Sequence, residues 1–202
     1  MKKGILIIIS GPSGTGKGTV INELLKNRSA ELSISCTTRS PREGEKEGVN
    51  YFYKTKEEFL SMIYNDEFLE YAQVFGNYYG TPRDYVLKKL ESGKNVILEI
   101  DIQGALKVKE NLRQAVMIFI LPPSMKVLYD RLKNRGTETD AIISKRFGMA
   151  KSEIQYAKQY DYVVVNDDLA ETVENINAIL NVCSFSASNS EKIDELLNEE
   201  VE

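Results

Sequence analysis

Between an unbroken apolar run, Ile5 to Ile9, and a helical pattern that resumes at Val20, the chain carries Gly11-Pro12-Ser13-Gly14-Thr15-Gly16-Lys17-Gly18-Thr19. No other stretch limits the fold as much. An apolar, β-branched run without polar alternation reads as a strand buried on both faces of a parallel sheet. Val20, Ile21, Leu24 and Leu25 then return at helical spacing, with Glu23 and Lys26 between them. A glycine-rich turn from a strand end to a helix start is the context in which such a turn cradles phosphate. Glycines at 11, 14 and 16 free the backbone to point successive N–H groups inward, and the helix start adds unpaired N–H groups and its positive dipole end. Lys17 has no evident packing use in a tight turn, which favours the cradle over a mere connector. Gly11, Gly16 and Lys17 satisfy G-x-x-x-x-G-K, yet the next position, usually Ser or Thr, is Gly18. That hydroxyl ordinarily ligates Mg²⁺, and Thr19 is the only hydroxyl immediately downstream.

Composition narrows the chemistry. With no histidine among 202 residues, Ser-His-Asp hydrolysis, histidine metal sites and a histidine general base are excluded, so catalysis must rest on placed charge or carboxylates. A net charge of −4 argues against a nucleic-acid surface, which needs a basic stripe. Cys36 and Cys183 are the two cysteines and lack metal or redox spacing, which suits a reducing compartment. Met1-Lys2-Lys3 with the following apolar run only faintly mimics a signal peptide, because Ser10 ends the run; no stretch is long enough to span a bilayer. A cytoplasmic protein without membrane partners is expected.

In chain order, Leu32 to Thr37 reads as a second strand, followed by a charged turn in which Arg39 and Arg42 flank the stiff Ser40-Pro41 step. Such a pair can be aimed at one anion; taken alone it could be a solvated loop. Thr55 with Glu58 forms a capping-box signature. Phe68 to Phe75 and Tyr78-Tyr79-Gly80 suggest a hairpin around Gly76-Asn77, and Thr81-Pro82 opens a helix with proline at its first position. This mixed, aromatic stretch interrupts the strand–helix alternation and reads as an inserted substrate lobe. Asn95 to Asp101 is a further strand, whose alternation turns Glu99 and Asp101 the same way; a carboxylate there handles Mg²⁺ or ligand unless it is an edge charge. Val116 to Leu121 is a buried strand. Arg131 and Arg135 share a helix face, and with Arg146 beyond Thr137-Glu138-Thr139-Asp140 they form an arginine-bearing turn like a closing lid, unless they are ordinary surface arginines. Tyr162 to Val165 is the last strand, leading to Asn166-Asp167-Asp168. The expected fold is a three-layer α/β/α arrangement of about five mainly parallel strands.

From Gly4 to about Val182 the chain resembles guanylate kinase, a P-loop nucleoside monophosphate kinase. The resemblance is carried by GPSGTGKGT, the run Ser35 to Glu45, GNYYGTP, LEIDIQGA, RGTETD and VVVNDD together. It implies a core of residues 1–34, 93–130 and 150–183, a GMP-binding lobe at 35–92, a lid at 131–149 and an acidic tail at 184–202. By resemblance, Arg39, Arg42, Tyr51 and Tyr79 hold the phosphate of GMP and Glu45 orients the arginine turn. Ser35, Glu70, Thr81, Glu99 and Asp101 match positions around the base. Gly11, Pro12, Ser13, Gly14, Thr15, Gly16, Lys17, Gly18 and Thr19, with Arg135 and Asn166, fall at the ATP site, Asn166 at the adenine end. Lys17, Arg39, Arg131, Arg135 and Arg146 would be the catalytic groups. The implied reaction moves the γ-phosphoryl group of ATP to GMP, and by extension dGMP, giving ADP and GDP in purine nucleotide metabolism, GTP supply and GMP recycling. Mg²⁺ would travel with the ATP phosphates, with Thr19 and Asp101 as protein contributors. Peptide-binding modules of this fold degrade the loop, and adenylate kinases would lack the Ser35–Glu45 run and the GNYYG hairpin. Oligomeric state is left open, a homo-oligomer included.

Overall fold

A computed structural model describes residues 3–26, 30–74, 76–134, 140–186, 193 and 196–199. Its central strand, β1 (Leu6–Ser10), is buried along its whole length, as an apolar run without alternation requires. The chain continues through α1 (Lys17–Lys26), β2 (Glu31–Leu32), β3 (Cys36–Thr37), β4 (Phe52–Tyr53), α2 (Lys56–Tyr64), β5 (Phe68–Val74) and β6 (Asn77–Pro82). Then come α3 (Arg83–Glu91), β7 (Val96–Glu99), α4 (Ile102–Asn111), β8 (Val116–Leu121), α5 (Met125–Lys133), α6 (Asp140–Gln155), a 3₁₀ turn (Tyr156–Gln159), β9 (Tyr162–Val165) and α7 (Leu169–Cys183).

Five strands form one sheet in the order β2-β7-β1-β8-β9, with every pairing parallel. Leu6 stands opposite Val96, and Ile7 opposite Val116. Alternation along β1 divides the core in two. Ile5, Ile7 and Ile9 pack with Val20, Ile21 and Leu24 of α1 and Val173, Ile176 and Leu180 of α7. Leu6 and Ile8 face Ile102, Ala105 and Val108 of α4, with Val86 and Tyr160. Each such aliphatic side chain contributes roughly 1.5–3 kcal/mol when fully buried, so the strand end that launches the glycine turn is anchored on both sides.

A second sheet, β4-β3-β6-β5, stands apart from the first. Its hairpin pairs Glu70 with Thr81 and Ala72 with Tyr79. Phe59 of α2 stacks on Phe68 at 4.5 Å and Tyr78 at 5.5 Å between ring centroids, giving this sheet its own small core with Cys36. Thr55 caps α2 reciprocally with Glu58.

Three boundaries differ from the sequence reading. The expected strand at 32–37 is two short pieces, β2 in the parallel sheet and β3 in the other; a continuous β-like pattern does not reveal a change of sheet. Pro82 is the cap residue of α3 and the end of β6, with Arg83 first in the helix. The strand before Asp101 ends at Glu99, and Asp101 is the N-cap of α4, its carboxylate accepting from Gly104 N.

Candidate active site

The glycine turn lies at the carboxyl end of β1, where ligands settle in open α/β sheets. Its carbonyls are occupied by its own chain. Lys17 Nζ donates to Gly11 O at 2.6 Å and Pro12 O at 3.0 Å, and Thr15 Oγ1 donates to Pro12 O at 3.0 Å. Asn166 Nδ2 donates to Thr15 O at 2.7 Å. With the acceptors taken, Ser13, Gly14, Gly16 and Gly18 N–H groups have no protein acceptor among the described residues, which is the polarity an anion needs. Two glycines are required by contact as well as conformation. At φ +148° a Cβ on Gly11 would meet Ile120 O at 2.3 Å, and at φ +87° one on Gly16 would meet Asn166 Nδ2 at 2.5 Å. Gly18 differs, since a Cβ there meets nothing within 4 Å; no packing reason excludes a larger residue. Thr19 is exposed on the first turn of α1.

Arg146 of α6 reaches this loop, and Arg131 of α5 reaches Asn166, which braces it. Arg131 Nη1 donates to Asn166 O at 3.0 Å, and Arg146 Nη1 to Ser13 Oγ at 3.0 Å. Leu128 and Leu132 of α5 pack with Ile143 and Ala150 of α6, and Tyr129 meets Phe147 edge-on at 5.3 Å. Arg135 and residues 136–139 of the expected lid lie outside the described residues, as does most of the acidic tail. Asn166, expected at the adenine end of ATP, spends its side chain internally: besides Thr15, its Oδ1 accepts from Thr172 Oγ1 at 3.2 Å, and it is buried. Its role in this conformation is to brace the loop.

Across the cleft, the second sheet carries a different kind of site. Arg39 Nη2 donates to both oxygens of Glu45, at 2.9 and 3.0 Å. Glu45 Oε2 also accepts from Arg42 N at 2.8 Å and from Tyr53 Oη at 2.8 Å. The Arg39 guanidinium, then the Arg42 amide and the Tyr53 hydroxyl, hold the Glu45 carboxyl down at about 2, while Glu45 pushes Arg39 further up. Arg39 lies 5.5 Å from the centre of the Tyr51 ring, and Tyr51 meets Tyr79 edge-on at 6.0 Å. Thr37 Oγ1 accepts from Arg39 N at 3.2 Å, and Thr38 and Tyr78 exchange bonds across the sheet. The arginine turn is thereby fixed to the hairpin, with the Arg42 side chain exposed.

Ser35, Tyr51, Glu70, Tyr79, Glu99 and Asp101 line a cleft of about 330 Å³ that joins the second sheet to the end of β7. Glu70 is only 8% exposed, and Thr81 Oγ1 donates to its Oε1 at 2.7 Å. Burial pushes its carboxyl up, Thr81 opposes this, and the nearby Asp101 charge reinforces it. Glu99 and Asp101 reach the same cleft, Asp101 from the helix cap rather than from strand alternation. A larger hollow, about 740 Å³, lies by Leu25, Glu31 and Asn95, at the opposite end of the strands. Its carboxylate is taken by Lys89 and Lys94, so the chemistry belongs to the smaller cleft.

The guanylate kinase family model matches residues 3–182. The chain belongs to the guanylate kinase family. A curated guanylate kinase of Caldanaerobacter subterraneus is 57% identical over 180 residues, covering 89% of this chain and 87% of that protein. One of Clostridium tetani is 56% identical, covering 89% and 86%. The crystal structure of guanylate kinase from Anaplasma phagocytophilum superposes with a TM-score of 0.79 at 37% identity, covering all of this chain and 98% of that one.

Against this family background, three residues of the site escape sequence reading. Tyr53 shares a strand side with Tyr51 by period-two alternation, and that signal could have found it. Glu153 on α6 is pushed up by burial, with Lys17 opposing and Asp101 reinforcing the shift; nothing in its local sequence marks it. Gly104, three residues beyond Asp101, lies within LEIDIQGA, but nothing in that motif marks its place beside Glu70.

Proposed function

We propose that the chain transfers the γ-phosphoryl group of ATP to GMP, giving ADP and GDP, with dGMP as a further acceptor. The observation that carries this reading is Glu70, a buried carboxylate held by Thr81 in a cleft at the same end of the parallel sheet as the glycine loop. Guanine offers two adjacent donors, N1–H and the 2-amino group, that one carboxylate accepts together, while Ser35 donates to O6. Adenine lacks that pair and leaves Glu70 unsatisfied, a mismatch of the kind that rejects analogues by roughly 10⁴–10⁵-fold. Glu99 and Asp101 complete the polar rim of the base site.

Arg39 and Arg42, with Tyr51 and Tyr79, take the GMP phosphate; Glu45 sets the guanidinium in place beforehand, so little ordering remains on binding. The nucleophile is a phosphate oxygen, already ionised near neutrality because a phosphate monoester has its second pKa at about 6. No general base is required, consistent with a chain without histidine. On the other side, the loop amides and Lys17 hold the β and γ phosphates. Lys17 leaves Gly11 O and Pro12 O to do so, and Arg131, Arg135 and Arg146 stabilise charge on the group in flight. Asn166 serves ATP through Thr15 rather than through adenine. In this reading residues 1–34, 93–130 and 150–183 form the core, 35–92 the GMP lobe and 131–149 the lid.

Thr19 and Asp101 fit Mg²⁺ in kind, a hydroxyl on the first turn of α1 and a carboxylate at the N-cap of α4 with one oxygen not used by Gly104. Mg²⁺ in kinase sites keeps water and substrate-phosphate ligands and needs few from the protein; when bound with ATP it neutralises phosphate charge. The test is ADP release with GMP, dGMP, AMP and UMP compared in one assay. Rapid release with GMP and dGMP alone is expected. Release with AMP or UMP at the GMP rate, or with none, would remove the assignment.

A further inference from the structure

Gly104 is the third residue of α4, and its N–H donates to Asp101 Oδ1 at 2.8 Å. Its backbone is not among those with positive φ, so conformation does not demand glycine. Within a helix, glycine is also a poorer choice than alanine. The reason for it lies in what surrounds it. A Cβ here would stand 2.9 Å from Glu70 Oε2, 3.2 Å from Glu70 Cδ and 3.4 Å from Asp101 Oδ1. The three nearest atoms all belong to two of the cleft's carboxylates, Glu70 and Asp101.

Glu70 has little room to yield. Its other oxygen is bonded to Thr81, fully buried in β6, and the two residues stand opposite each other in the β5–β6 ladder. The open space beside Glu70 is the cleft that it lines. We propose that Gly104 is a specificity-determining positioning residue: the absence of a side chain sets how deep the Glu70 carboxylate sits, and so the depth at which a purine bearing two adjacent donors fits. This rests on the reading of Glu70 as the partner of N1–H and the 2-amino group.

Kinetics and stability of Gly104→Ala, Glu70→Gln, Glu70→Ala and the Gly104→Ala/Glu70→Ala double variant test it. Gly104→Ala is expected to raise KM for GMP about tenfold or more, as misplacements well under 1 Å in a positioned site do, with KM for ATP within twofold of the parent. IMP keeps N1–H but lacks the 2-amino group, so its KM moves less and the preference for GMP over IMP shrinks. A purely structural glycine would not move that ratio. In the Glu70→Ala background the crowding is gone, only helix propensity remains, and Gly104→Ala is expected to raise Tm by about 2–4 °C. That arm stays readable even where Gly104→Ala alone does not fold. A parental GMP KM in Gly104→Ala, an equal Tm gain in both backgrounds, or a double variant that also fails to fold would overturn the proposal. If Glu70→Gln raises KM for GMP and Gly104→Ala does not, only the role of Gly104 falls. A parental GMP KM in Glu70→Gln removes the base reading and this inference with it.

Discussion

In the proposed reading, the glycine turn on the parallel sheet and the arginine turn on the smaller sheet both take phosphate, yet by opposite means. At the glycine turn the backbone is the ligand. Its Gly11, Pro12 and Thr15 carbonyls are bound from behind by Lys17, Thr15 and Asn166, and among the described residues the Ser13, Gly14, Gly16 and Gly18 amides are left over. At the arginine turn side chains do the work, and one carboxylate, Glu45, gathers Arg39, the Arg42 amide and Tyr53. Backbone sites need particular φ values and clearances and so tolerate few residue types. Side-chain sites depend on partners distant in sequence, and fail gradually as single bonds are lost.

That contrast orders the expected effects. Lys17→Ala should lower turnover by at least about 10²–10³-fold, the scale on which one preorganised donor at developing charge acts; steady-state kcat with saturating GMP and ATP checks it. Turnover within tenfold of the parent would place the lysine outside the chemistry. Glu45→Gln should raise KM for GMP roughly 10–100-fold, because a charged hydrogen-bonded partner is lost, with KM for ATP little changed. The Glu45 carboxyl is held down at about 2. Its contribution to order is therefore fully present above the unfolded value near 4.5 and disappears only as pH falls through about 2, so the arginine turn should show no pH dependence from Glu45 between pH 5 and 9.

Smaller effects separate one glycine from another. Gly16→Ala, at φ +87° and against Asn166, should cost about 1–2 kcal/mol from backbone conformation alone, read as a lower denaturant midpoint and a higher KM for ATP. Gly18→Ser, into open space, should leave the midpoint unchanged. If both behave alike, the loop is not shaped as described. Least of all, Tyr53→Phe should raise KM for GMP by about two- to tenfold, the range of one net hydrogen bond, while an unchanged KM would remove Tyr53 from the network around Glu45.

The same contrast explains what could be read from the sequence. Residues 5–25 announce strand, turn and helix because a backbone site confines residue types locally, and the apolar runs of β1 and β8 betray strands covered on both faces, whereas the equally apolar β9 is an edge strand that leaves Val163 and Val165 exposed. Arg39, Arg42 and Glu45 were recognisable as a charged turn, but their joint geometry needs Thr37, Tyr53 and Tyr78, which only the sheet brings together. The split of residues 32–37 between two sheets left no mark, since strand propensity does not record the partner. Asn166 reads as polar at a strand end and, by resemblance, as a contact at the adenine end of ATP, without any sign that its amide turns inward to Thr15. Gly104 stands in the LEIDIQGA motif, yet its part in the site is illegible for a related reason: its neighbour Glu70 lies 34 positions away.

The central claim is that two nucleotides bind to separately built sites and meet only at their phosphates. Calorimetric titration of GMP, and separately of a non-hydrolysable ATP analogue with Mg²⁺, into the parent and Lys17→Ala tests it most directly. GMP affinity should stay within about twofold of the parent, and the analogue affinity should weaken by at least about tenfold. Loss of GMP binding in step with the analogue would contradict it.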